Sequence, residues 1–172
     1  MKIKDRKEAY SGYYKIFKLT VEEQGQTFER EQIVKGDAVA ALVYNTVTEK
    51  YILIRQFRIG SESEMVEVVA GMVDEGEDPE ESIKREIEEE IGYHVIKLEH
   101  LHTFYSTPGG YAEQVYLYYA EVTEQHAAGG GKESENEHIE ILELTAAELQ
   151  ELASNDAKTI IAQQWVRLQQ KA

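Results

Sequence analysis

The segment from Gly71 to Tyr93, GMVDEGEDPEESIKREIEEEIGY, constrains the fold more than any other stretch of the chain. Between residues 74 and 90 it holds ten carboxylates against two basic residues, Lys84 and Arg85. Side-chain pairing alone does not neutralise that density, and a divalent metal is the natural counter-charge. Asp78 is a good N-cap, Pro79 suits the first helical position, Glu81 completes a capping pattern and Gly92 can end the helix, so the spacing predicts one helix over 79–91. At about 100° per residue, Ile83, Ile87 and Ile91 make an apolar stripe, and Glu86, Glu89 and Glu90 converge within roughly 100° at its edge. Converging carboxylates suit Mg²⁺ or Mn²⁺, hard cations that take oxygen ligands and keep waters for a phosphate substrate to replace. Glu81, Lys84 and Glu88 point the other way and read as solvated charge.

Around this helix the chain alternates strands and helices. Residues 13–21 and 27–34 read as two strands joined by Glu23-Gln24-Gly25-Gln26, a hairpin ahead of the main sheet. The continuous apolar run 38–44 suggests a strand covered on both faces, and 51–57 returns beside it. Strands are expected at 65–70, near 95–104, around 114–122 and at 138–144. Thr145 with Glu148 makes a capping box for a short helix, and Asn155 or Asp156 caps a last helix containing Ile160, Ile161, Trp165 and Leu168. Residues 124–137 read as a polar, Gly-rich loop. The order predicts an α/β fold, with helices on both sides of a mixed sheet. A chain of 172 residues, 42% hydrophobic, suits one domain with a proper core.

Composition narrows the partners. Thirty-three acidic residues against eighteen basic give a net charge of −15, which argues against nucleic acid and anionic membrane surfaces. The absence of Cys excludes disulfides and thiolate chemistry, and the N-terminus lacks the apolar core of a signal peptide, so a cytoplasmic location is expected. His100 and His102 share one face of a strand without a third ligand, and Gly129-Gly130-Gly131-Lys132 lacks the first glycine of a phosphate loop.

Gly71, Glu77, Arg85-Glu86-Ile87, Glu89-Glu90 and Gly92 stand at the spacing G-x5-E-x7-R-E-U-x-E-E-x-G-U, where U is a bulky aliphatic residue. This pattern resembles the Nudix hydrolase signature, departing only at its last position, where Tyr93 replaces the aliphatic residue. The resemblance implies an α/β/α sandwich, and within the family the chain is most similar to the ADP-ribose pyrophosphatase and nucleoside-diphosphate-sugar hydrolase branch. It divides the chain into an N-terminal hairpin, 1–36, which builds a homodimer in that branch, and a Nudix domain, 37–172, with its box at 71–93.

By the same resemblance Glu86, Glu89 and Glu90 bind the metal with the backbone carbonyl of Ala70, and Arg85 orients a carboxylate. The stretch Glu135-Asn136-Glu137-His138-Ile139 resembles the catalytic loop of ADP-ribose pyrophosphatases, making Glu135 the general base and Glu137 a further metal ligand; the helix glutamates are the other source of a base. Arg85 and Glu86 complete the catalytic set. Arg55 resembles the arginine this branch directs at its substrate, and Glu113 is a second substrate-side residue. Pro108, sixteen residues beyond Gly92, resembles the marker of the ADP-ribose class, although related GDP-sugar hydrolases also carry Pro-Gly there. The implied reaction is Mg²⁺-dependent hydrolysis of a nucleoside diphosphate derivative, ADP-ribose to AMP and ribose 5-phosphate in the first instance. GDP-mannose hydrolysis, or nucleotide-sugar binding without cleavage, are the alternatives.

Overall fold

The computed structural model describes residues 1–131 and 138–170. They belong to two compact units, Met1–Asp37 with Phe104–Val115, and Ala38–Thr103 with Tyr116–Ala172. In the first unit, β1 (Lys2–Ser11), β2 (Lys15–Glu23) and β3 (Gln26–Val34) form an antiparallel sheet in that order. Gln24 and Gly25 both take positive φ, 51° and 78°, as a two-residue type I′ hairpin turn requires, and Glu23 pairs Gln26 across it. The expected hairpin is therefore β2–β3, and β1 extends it. No residue of β1 is buried, so its sequence carries none of the alternation that marks a half-buried strand. The first unit also takes in 104–115, because Ile33 receives and donates backbone hydrogen bonds with that segment: its N–H reaches Gly110 O at 2.8 Å and its carbonyl accepts from Ala112 N at 2.9 Å.

The remaining strands are β4 (Ala38–Asn45), β5 (Lys50–Arg58), β6 (Ser63–Glu67), β7 (Val69–Met72), β8 (Lys97–Tyr105), β9 (Gln114–Val122) and β10 (Glu140–Leu144). They form one sheet of order β10-β5-β4-β9-β8, with β6 paired to β5 and β7 to β4. The helices are α1 (Pro79–Ile91), α2 (Ala146–Glu151) and α3 (Ala157–Gln169). Side chains alternate across a strand, and both faces of β4 are buried. Val39, Ala41 and Val43 join Ile52, Ile54, Tyr118 and Ala120 in the core that receives Ile83, Ile87 and Ile91 of α1. The intervening Ala40 and Leu42 face the other way and are equally buried, as are Leu149 of α2 and Ala162 and Val166 of α3, which pack on β5, β10 and β4. Helices thus cover both faces, the expected α/β arrangement.

Two local devices position the region around Gly71. Helix α1 starts at Asp78, whose side chain accepts from Glu80 N at 2.8 Å, and ends at Gly92, whose φ of 72° suits glycine and whose N–H reaches Glu88 O at 3.0 Å. Glu81 does not complete the expected box: its carboxylate accepts from Lys84 Nζ at 2.7 Å instead. The strands leading into β7 are held by a buried ionic network. Glu67, 1% exposed, accepts from Arg58 Nε at 2.6 Å and from Arg58 Nη2 at 3.0 Å, and Lys158 Nζ lies 3.4 Å away. Lys158 also donates to Asp156 at 2.6 Å, and Thr159 Oγ1 accepts from Val68 N at 2.9 Å. Burial alone would raise the Asp156 carboxyl, but Lys158 and the Thr159 hydrogen bonds hold it below its ordinary value. This network fastens α3 to the chain immediately before Ala70 and Gly71. Among the described residues, no helix is long and apolar enough to cross a membrane.

Candidate active site

Arg85 is the hub of the acidic helix. Its Nη1 donates to Glu86 Oε1 at 2.6 Å and to Glu89 Oε2 at 3.2 Å, and its Nε and Nη2 reach the two oxygens of Glu77 at 3.2 and 2.9 Å. Nη2 also donates to the Met72 carbonyl at 3.2 Å, so one guanidinium joins α1 to the end of β7. The fork geometry explains why lysine would not serve here, since an ammonium cannot present two parallel donors to one carboxylate. Arg85, joined by the Ser82 hydroxyl at 2.6 Å, pulls the Glu77 carboxyl down to about 2. The Glu77 and Glu86 carboxylates in turn raise the Arg85 guanidinium above its ordinary value.

Glu86 lies over Gly71. A Cβ at that position would come within 2.1 Å of the Glu86 carboxyl carbon, so only glycine leaves the space this side chain occupies. Glu90 is buried, 2% exposed, and its Oε2 accepts from the backbone N–H of Ala70 at 3.3 Å. Glu86, Glu89, Glu90 and the Ala70–Gly71 backbone therefore come together, Glu86 and Glu89 held by Arg85 and Glu90 by the Ala70 N–H. The donor set is all oxygen and strongly anionic, which fits a hard divalent cation and no soft one.

Beside the helix C-terminus opens a cleft of about 300 Å³ lined by Arg55, Glu64, Gly130, His138, Ile139 and Glu140. Gly130 N donates to the Glu90 carbonyl at 2.8 Å, which ties one wall of the cleft to the end of α1. Arg55 Nη1 is paired with Glu140 at 2.8 Å, across the register that sets Glu140 opposite Arg55 on β10 and β5. The cleft thus holds one cation, Arg55, already paired with a carboxylate, and is tied through Gly130 to the helix end that carries Glu90.

Compared with known families, the chain matches the NUDIX domain over residues 34–164. It belongs to the Nudix family. Curated relatives include a methanol dehydrogenase activator of Bacillus methanolicus, 34% identical over 95% of this chain and 90% of that protein. They also include GDP-mannose pyrophosphatases: that of Cronobacter sakazakii is 35% identical over 81% of this chain and 78% of its own length, and that of Escherichia coli K12 is 36% identical over 77% and 74%. Among solved structures, one described as an ADP compounds hydrolase superposes with a TM-score of 0.81, covering 99% of this chain and 94% of that one at 22% identity. That likeness shows the same fold.

The Nudix box thus brings together Arg85, Glu86 and Glu89, with Glu90 against Ala70, as its pattern implies. Arg55 lines the neighbouring cleft. Glu113 belongs to the other compact unit, where it hydrogen-bonds Tyr111; burial first, and then the Glu113 charge, raise that phenol above its ordinary value. Glu135 and Glu137 lie outside the described residues. Sequence reasoning gave Glu77 no role beyond its place in the pattern, yet it takes two of the hydrogen bonds that aim Arg85. Its signal was available: an acidic residue eight positions before the arginine, just ahead of the N-cap, is placed to meet a side chain two turns into the helix. Gly71 was likewise a typed position whose reason, the Glu86 carboxylate above it, only the packing discloses.

Proposed function

We propose that this Nudix pyrophosphohydrolase cleaves the diphosphate of a nucleoside diphosphate-sugar with Mg²⁺ as cofactor, ADP-ribose being the leading substrate. The observation that carries the reading is the Arg85-bound carboxylate group with Glu86 seated over Gly71. Glu86, Glu89 and Glu90 would hold the metal with the Ala70 carbonyl, and Glu137 adds a further oxygen. Bound there, Mg²⁺ would supply charge neutralisation for the diphosphate and make the attacking water more acidic. Arg85 keeps Glu86 and Glu89 oriented, and Arg55 exchanges its Glu140 partner for the anionic substrate. Glu135 takes the proton as the water oxygen bonds to phosphorus and the bridging P–O bond breaks. From ADP-ribose the products are AMP and ribose 5-phosphate. A mobile cellular metabolite as substrate, and a chain without cysteine, fit a cytoplasmic setting.

GDP-mannose is the second reading, favoured by the relatives of that name at 33–36% identity. Pro108 favours the first by its spacing from the box. Mg²⁺-dependent turnover of ADP-ribose and GDP-mannose, followed by product chromatography, separates the two. Release of AMP with ribose 5-phosphate supports the first, release of GMP with mannose 1-phosphate the second, and no hydrolysis of either removes the reading. On the preferred substrate, Glu135→Gln is expected to lower kcat by about 10² to 10⁴ with KM little changed, whereas Glu137→Gln raises the Mg²⁺ concentration for half activity. Equal, small effects would move the base to the helix glutamates.

A further inference from the structure

The C-terminal end of α1 carries a second group of metal-ligating side chains that the hydrolase reading does not use. Glu88 lies about 160° around the helix from both Glu86 and Glu90, on the face away from those two carboxylates. His94 follows the C-cap Gly92, and His126 comes from the segment after β9. An isolated antiparallel bridge between Tyr93 and Gln125 draws these two segments together, one residue before each histidine. The imidazoles consequently stack, with ring centres 3.6 Å apart and planes 11° from parallel.

We propose that Glu88, His94 and His126 form a distinct site for a borderline divalent cation such as Zn²⁺, which ties the 124–131 segment to the C-terminus of α1. Distances support it. Glu88 Oε1 lies 3.3 Å from His126 Nε2, Glu88 Oε2 lies 3.7 Å from His94 Nδ1, and one ligand atom from each residue falls within 4.8 Å of the others. Tetrahedral zinc with bonds near 2.0–2.1 Å spaces its ligand atoms about 3.3 Å apart, so the set closes when the exposed side chains turn and the ring stack opens to let the two in-plane lone pairs converge. Two imidazoles and one carboxylate, with a water in the remaining position, match zinc better than magnesium, which avoids nitrogen ligands.

The electrostatics also ask for a cation. The last turn of α1 contains no basic residue, its carbonyl end is the negative pole of the helix dipole, and Glu88, Glu89 and Glu90 add charge of the same sign. The backbone is already shaped for the contact. His126 N and Ala127 N both donate to the Gly92 carbonyl, at 3.0 and 3.3 Å, and Gln125 Nε2 donates to the Ile91 carbonyl at 3.0 Å. A Cβ on Gly92 would lie 2.0 Å from Ala127 O, and one on Gly129 would lie 2.6 Å from Glu90 O, so two glycines admit this close approach. An ion held by Glu88 and His94 on one side and His126 on the other adds a cross-link where the backbone already touches.

The test is Zn²⁺ binding by isothermal titration to the full chain, with saturating Mg²⁺ present to occupy the box glutamates. The wild-type chain is expected to bind one Zn²⁺. His94→Gln, His126→Gln and Glu88→Gln should each weaken it at least about tenfold, since even outer-shell substitutions at zinc sites cost about 10–100-fold, and the double histidine variant should abolish it. All three side chains are solvent-accessible, so the variants are expected to fold, which circular dichroism checks. Hydrogen exchange supplies an independent readout: Zn²⁺ should slow the His126, Ala127 and Gly130 amides in the wild type and leave them unchanged in the double variant. Failure of the wild type to bind Zn²⁺ under these conditions, or unchanged binding by the double variant, would overturn the site. Neither result bears on hydrolysis, which is measured with Mg²⁺ alone.

Discussion

At the level of single residues, the site is a problem in holding carboxylates together. Arg85 solves part of it and, on the proposed function, a divalent metal would solve the rest, so neutralising a ligand should be costly for chemistry and cheap for folding. Glu89→Gln and Glu90→Gln are expected to keep the native circular dichroism spectrum while turnover at saturating Mg²⁺ falls by at least the 10–100-fold typical of weakened metal sites. Near-wild-type turnover in both would rule these residues out as ligands. Glu77 offers a test that does not involve catalysis. Its folded-state pKa, about 2, lies below the ordinary carboxylate value of 4.5, so its charge contributes stability above about pH 4.5, and that contribution fades as pH falls towards 2. Glu77→Gln should therefore melt lower than wild type at pH 6, with the two midpoints converging near pH 2. Because the side chain is about a quarter exposed, the gap should also narrow in high salt; a difference independent of pH would mean that Glu77 acts through packing.

At the level of elements, α1 is useful because β7 comes close enough to touch its side chains. Gly71 makes that approach possible. In Gly71→Ala the new methyl meets the end of the Glu86 side chain, a group that can swing away, and not the backbone. Stability should change by less than about 1 kcal/mol, the usual scale for a glycine-to-alanine change without backbone conflict. The Mg²⁺ concentration for half activity should rise several-fold as Glu86 is displaced. Thermal melts and a Mg²⁺ titration on the same preparation check both halves, and an unchanged titration would separate the Gly71 cradle from metal binding. The bounds of α1 were legible because its cap, first-turn proline and terminal glycine are local signals, and the Thr145–Glu148 capping box of α2 was legible for the same reason. Glu81 was misread within that otherwise sound pattern: Lys84, three residues on, offers it a stronger charged partner than a backbone N–H.

For the whole molecule, the N-terminal sheet is expected to build a homodimer. Its unit exposes Ile3 and Tyr10 at the two ends of β1, Tyr13 and Tyr14 in the turn between β1 and β2, and Ile33 near the end of β3, large apolar groups on a three-stranded sheet and its turn. Light scattering should return twice the chain mass of 19.7 kDa. A mass of one chain at micromolar concentration, with full activity, would end any account in which a second copy completes the pocket. The net charge of −15 keeps such a dimer soluble and sets a repulsive field around an anionic substrate, so turnover at low substrate concentration should depend on ionic strength.

The sequence by itself determined what depends on neighbours along the chain. Residue types at fixed spacing specified the Nudix box, the face of α1 that bears Glu86, Glu89 and Glu90, and the turn at Glu23-Gln24-Gly25-Gln26, because caps, turns and helical periodicity act over a few residues. Tertiary structure decided the rest. Strand β1, wholly exposed, has no alternation to read; the inclusion of 104–115 in the first unit depends on hydrogen bonds from Ile33 to residues more than seventy positions away. Glu88 read as solvated charge because His94 and His126 come from separate segments, the second of them 38 positions along the chain. Contacts of that range are set by how the sheet and helices close around the core, and a local pattern contains no record of them.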